Sequence, residues 1–172
     1  MLSASGVGAP DQKEPAHLVQ RDYLEDYAVG ETFVSPARTI TETDVGTYAG
    51  LTGDWHPLHT DVIYARDSRF GERIVHGMLT LAIGSTLVLR LGPHLYIPKS
   101  FIAFYGIDNV RFTAPVMIGD TIRTVNRVED LIPKDPGRGV LCYRGEVFNQ
   151  RDELVLLWTS RMLVGRRPVA AT

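Results

Sequence analysis

The stretch that decides the fold is Ile74–His94, IVHGMLTLAIGSTLVLRLGPH. From Gly77 to Leu91 it carries no charge before Arg90 and has no polar face. A helix that is apolar all round must be buried all round. Periodicity alone does not separate such a run from a buried strand. Its length does, together with the Gly92-Pro93 pair, because Gly suits a helix end and Pro cannot continue the helix. A long buried helix is therefore predicted over Met78–Leu91, too short to span a bilayer.

Beyond Pro98 the texture changes. SFIAFYGIDNVRF, DTIRTVNRVEDLI, GVLCYRGEVFN and ELVLLWTSRMLVG are rich in β-branched and aromatic residues. Turn signals separate them at 114–115, 119–120, 133–139 and 149–152, so they read as consecutive antiparallel strands. GETFVSPARTI, nearer the front, reads as another. ITETDVGTYAGLTGD predicts a short helix, capped by Thr41 with Asp44 in the capping-box position and stopped by Gly53. DVIYARDSRFG predicts a second, roughly Asp61 to Arg69. The fold class is α+β, an antiparallel sheet wrapped round one buried helix. Residues 1–20 are rich in Gly, Ala, Ser, Pro and charge and read as a flexible tail. With no repeat or further linker, residues 21–172 read as one domain.

The composition is ordinary for a soluble globular chain: 172 residues, 44% apolar and 22% charged. The net charge of -2 provides no basic field for nucleic acid or an anionic membrane. Neither partner is expected. The single cysteine, Cys142, can form no internal disulfide and lies in a predicted strand. The first residues lack the charged and apolar regions of a secretory signal, so a cytoplasmic location is expected.

Chemistry concentrates in TGDWHPLHTD, Thr52–Asp61. Pro57 stiffens this segment and biases His56 towards extended geometry. Asp54 and His59 flank the kink. A carboxylate and an imidazole held together can position one water, one accepting its proton while the other orients it. Histidine suits this, since its ordinary pKa of about 6.5 is near working pH. The competing reading is an Asp that caps a turn and a surface His.

IVHG offers a second element. The first amides of a helix lack intrahelical partners, and the dipole is positive there. An amide at Gly77 can stabilise an oxyanion such as a thioester enolate; alternatively Gly77 serves tight packing only. His76 beside it reads as a helix-start residue. His56 and His59 invite a metal, but Pro57 argues against a helix there and no HExxH or cysteine partner supports zinc. No metal is expected. Without a phosphate-binding loop, no nucleotide cofactor is expected either.

Three blocks, TGDWHPLHTD, FGERIVHGM and RFTAPVMIGDTI, together resemble the MaoC-like dehydratases, the (R)-specific enoyl-CoA hydratase family. The resemblance covers roughly Tyr27 to Val164. It implies the hotdog fold. The family's D-x-N-P-x-H loop maps onto Asp54, Pro57 and His59, with His56 where the family has Asn. Gly77 matches the family's oxyanion donor, and Ser85, eight residues on, its central-helix serine. The resemblance thus implies catalysis by Asp54, His59 and Gly77, with Ser85, His56 and His76 as substrate-binding residues. The implied reaction is reversible hydration of a 2-enoyl-CoA to a 3-hydroxyacyl-CoA in a homodimer, without a cofactor. A hotdog thioesterase and a non-catalytic acyl-binding subunit are the alternatives.

Overall fold

A computed structural model describes residues 20–92 and 94–168. The predicted tail, apart from Gln20, lies outside the described residues.

Helix α1 (Glu42–Thr52) starts as the sequence requires. The Thr41 hydroxyl accepts from the Asp44 N–H, and the Asp44 carboxylate accepts from the Thr41 N–H at 2.8 Å. Each satisfies a donor that the helix start leaves open. The helix stops at Gly53, which is left-handed at φ +75°. Next come two short helices, α2 (Pro57–Thr60) and α3 (Val62–Arg66). Sequence reading missed α2, having taken Pro57 as evidence against a helix. Pro57 occupies the first helical position, where the missing N–H would have had no partner anyway. Helix α3 is shorter than expected, and Asp61 caps it by accepting from Ile63 and Tyr64 N–H.

The strands are β1 (Thr32–Val34), β2 (Arg38–Thr39), β3 (Phe101–Phe112), β4 (Thr121–Pro133), β5 (Arg138–Phe148) and β6 (Leu154–Gly165). GETFVSPARTI thus forms two strands rather than one. Both pair with β4, and Pro36, which has no N–H to give a ladder, lies between them. The sheet is antiparallel in the order β1-β4-β5-β6-β3. The four long strands are where they were expected, but β3 pairs with β6 and not with its chain neighbour β4.

Helix α4 (Gly77–Leu87) lies against this sheet and tightens into a 3-10 turn over Val88–Leu91. Gly84 permits the approach: a Cβ there would come within 2.6 Å of Val147 on β5. The Thr124 hydroxyl on β4 donates to the Gly84 carbonyl at 2.7 Å. Leu79, Leu81, Ile83 and Leu87 enter a core with Val147, Val155, Leu156 and Trp158. A second core holds Phe33, Tyr96 and Tyr143, and the Tyr27 and Tyr143 hydroxyls both donate to the Tyr96 carbonyl.

The expectation that this helix is buried all round needs correction. Met78 is 56% exposed, and Ala82, Thr86 and Leu89 follow it on the same exposed stripe. A single sheet layer covers one side of a helix only. No helix among the described residues is long and apolar enough to cross a membrane.

Candidate active site

Local turns place the candidate groups. Past Gly53, the Asp54 carboxylate accepts from the His56 N–H at 3.3 Å, closing a side-chain turn. His56 has the extended backbone expected before proline, at φ -55° and ψ 132°. Its Nδ1 accepts from the Leu58 N–H at 3.1 Å, so it caps α2. An Asn side chain caps helices in the same way. The histidine that departs from the family pattern therefore keeps a loop-organising hydrogen bond. The loop is tied to the segment before α4 because Ile74 N–H donates to Leu58 O at 3.3 Å. That segment is held by Val75 N–H donating to Val116 O at 2.8 Å. A two-pronged Arg73–Glu42 ion pair links it to the start of α1.

The His59 Nδ1 lies 2.7 Å from the Ile74 carbonyl. A carbonyl only accepts, so Nδ1 carries the proton and the neutral ring keeps a lone pair on Nε2. The His59 and Asp54 side chains, together with His76, bring one nitrogen or oxygen each within 4.8 Å of one another. A water donating and accepting bonds of ~2.8 Å bridges that separation. Burial, the largest influence, holds the His59 imidazole below its ordinary pKa of 6.5. The Ile74 carbonyl and the Asp54 charge act in the opposite direction and do not overcome it. The ring is therefore an unprotonated base at neutral pH.

His59 and Gly77 both line a cavity of about 320 Å³. Its other walls include Phe70, Ile74, Thr80, Phe112 and Val155, with Arg69 as its cation. Gly77 is the first residue of α4, and no side chain caps the helix start. Both readings of Gly77 meet here. Its amide is at the open helix end, and a Cβ would press on the Phe112 ring at 3.1 Å.

The other four expected residues do not line this cavity. Asp54 is exposed beside it, with a carboxylate oxygen within 4.8 Å of a His59 ring nitrogen. His76 is 2% exposed and stands behind His59. It is the residue at the helix start, as read from the sequence. His56 is exposed and faces His59 and Tyr64 edge-on. Ser85 is two turns along α4, ~12 Å from Gly77 at 1.5 Å per residue, with its hydroxyl bonded to Ala82 O. Sequence reasoning missed the Ile74 carbonyl that orients His59, since a backbone group leaves no residue-type signal. It also missed Phe112 and Val155, which come from distant strands.

Asp54, His59 and His76 are also the grouping that can hold a metal among the described residues. However, the two imidazoles lie face to face, with centroids 3.9 Å apart and planes inclined by 30°. Ligating lone pairs lie in the ring planes, so near-parallel rings converge poorly on one ion. The arrangement fits a water better.

Comparison with known proteins bears on the family and the fold. The chain is 40% identical over 103 residues to Protein MaoC of Klebsiella aerogenes, matching 60% of this chain but spanning only 29% of that protein. It is 38% identical over 112 residues to the (R)-specific enoyl-CoA hydratase of Rhodospirillum rubrum, covering 65% of this chain and 73% of that enzyme. Among solved structures, the monoamine oxidase regulatory protein of Archaeoglobus superposes with a TM-score of 0.80 at 42% identity, over 86% of this chain and 97% of that one. Rv0216 of Mycobacterium tuberculosis, a double hotdog, superposes with a TM-score of 0.69 at 20% identity, over 88% of this chain and 46% of that one. That likeness bears on the fold, which is the hotdog. A family profile described as MaoC like domain matches residues 26–144, more than half of the chain and all of the loop, the helix start and the walls up to β5. With its Asp-His loop set against the open end of a hotdog helix, the chain belongs to the MaoC-like dehydratase family.

Proposed function

We propose that this chain is a hydro-lyase that adds water reversibly to 2-enoyl-CoA thioesters, giving (R)-3-hydroxyacyl-CoA. The observation that carries the reading is a cavity lined by both His59 and Gly77, with an Asp54 carboxylate oxygen within 4.8 Å of a His59 ring nitrogen. The thioester carbonyl points at the Gly77 N–H. Asp54 and His59 hold the water, and the bare Nε2 of His59 accepts its proton as hydroxide adds to C3. Negative charge develops on the thioester oxygen, where the helix-start amide stabilises it. The proton taken from water returns at C2, so the dyad is restored and no cofactor is consumed.

The test is incubation of the full chain with crotonyl-CoA. The enoyl absorbance falls without release of free thiol. The pH sign follows from His59. Its lone pair is available above its folded pKa, which burial holds below 6.5. The rate is therefore at its plateau at neutral pH and declines only in acid, with a midpoint below 6.5. Free thiol would make the chain a thioesterase. An acid limb centred above 6.5 would remove His59 as the neutral base.

The same reading makes the molecule a homodimer. None of the twelve residues of β3 is buried, and Ile102, Phe104 and Tyr105 are at least half exposed. An apolar edge strand of this length is a pairing surface. The exposed Met78–Leu89 stripe is a second apolar surface, and Ser85 on it can contact substrate only where a partner completes the site. Light scattering should give about twice 19.1 kDa, and Phe104→Lys should shift the mass towards one chain. A wild-type monomer would end this part of the reading. No nucleic acid or membrane partner enters it, and it places the protein in cytoplasmic fatty acyl-thioester metabolism.

A further inference from the structure

His76 is buried at 2% exposure directly behind the reactive loop. Its Nε2 lies 3.0 Å from the Asp54 backbone carbonyl and 4.0 Å from the Asp54 carboxylate. The first distance is a hydrogen bond and the second is too long for one. Because the carbonyl only accepts, His76 donates from Nε2, and in the neutral ring Nδ1 is bare. That Nδ1 is buried without a hydrogen-bond partner among the described residues. One face of the ring stacks on His59 at 3.9 Å, and the Tyr48 ring lies 4.9 Å away.

A ring retained for packing alone is better apolar, since a phenyl ring fills this space without burying an unpaired nitrogen. The one hydrogen bond the His76 side chain makes among the described residues accounts for its polarity, and that bond ends on Asp54. The stack ends on His59. His76 thus touches both members of the pair that holds water, yet it is not part of the cavity wall.

We propose that His76 is a positioning residue that sets the Asp54–His59 geometry. Its Nε2–H anchors the Asp54 backbone, and its ring is the plate against which His59 is stacked. This rests on the hydro-lyase reading for its kinetic consequence but not for its structural one. Displacement of a reacting group by about 1 Å costs on the order of a hundredfold in rate, so a loosened anchor acts on kcat. A residue outside the cavity leaves KM nearly unchanged.

Two variants separate the two contacts. His76→Phe keeps a flat ring behind His59 and offers Asp54 no donor. His76→Gln keeps an N–H that can reach the Asp54 carbonyl and removes the plate. Both are assayed with crotonyl-CoA, and the histidine ring nitrogens of the ligand-free chain are observed by long-range 1H–15N spectroscopy. Each variant should lower kcat by about tenfold or more and leave KM within about twofold. The wild-type spectrum should show His76 protonated at Nε2, and His59 resonances should move in His76→Gln, where the stacked ring is gone. Unchanged kcat in both variants, with or without a lower melting temperature, would reduce His76 to packing and overturn the proposal. A rise in KM at constant kcat would make it a substrate contact and overturn it as well. A His76 ring protonated at Nδ1 instead of Nε2 would contradict the anchor directly. Wild-type protein that hydrates no enoyl thioester would sink the hydro-lyase reading, and the ring spectra would then decide the positioning role alone.

Discussion

Asp54→Asn and His59→Ala should each lower kcat for crotonyl-CoA hydration by on the order of 10²-fold or more, the usual worth of a positioned proton-transfer group. Asn at 54 removes the charge and keeps an oxygen able to accept from the His56 N–H, so the turn closed by that 3.3 Å bond survives. The His76 anchor also survives, because it is made to the Asp54 backbone. The loss then measures what the carboxylate does for the water. His59 is half-buried between the cavity and His76, and its truncation removes the Nε2 lone pair. It also frees the Ile74 carbonyl, so His59→Gln is the companion that can refill part of that bond. The two groups act on one water. The double variant should therefore lose far less than the product of the single losses. Steady-state rates on folded protein, verified by an unchanged melting profile, provide the measurement. Either single variant retaining more than about a third of wild-type kcat would remove that residue from the mechanism.

Trp158→Ala should cost about 3–5 kcal/mol of folding stability, the range for deleting a large buried aromatic. Trp158 is 1% exposed on β6 and lies opposite Gly145 on β5. Its six-membered ring fills the space above that glycine so closely that a Cβ there would lie 2.3 Å from it. The ring belongs to the core that also holds Val75, Leu79 and Val155, next to and beneath the cavity. Alanine would leave a void that rigid strands cannot close. For a chain of this size the loss corresponds to a melting temperature lower by roughly 2–4 °C per kcal/mol. Urea unfolding of the purified variant reads the change. A loss under about 1 kcal/mol would mean that β5 and β6 collapse onto the vacated space, contrary to the packing described.

The capping box at Thr41, the stop at Gly53, the four long strands and the apolar helix were legible in the sequence because each depends on residues close along the chain. Local hydrogen bonds and side-chain periodicity act over a few residues, so a one-dimensional pattern records them. Asp54, His59 and Gly77 stood out as candidates in the same way, as two short blocks. Other features depended on contacts between distant segments. The short helix α2 formed despite Pro57, because the first helical position needs no N–H. Strand β3 went to the sheet edge beside β6. The helix kept an open stripe from Met78 to Leu89, since one sheet covers only one side. Above all, the tertiary structure put His76 behind both Asp54 and His59 and aimed the Ile74 carbonyl at His59. Residue types fixed which groups could do chemistry, but their distances and tautomers arise only when segments far apart in sequence pack together.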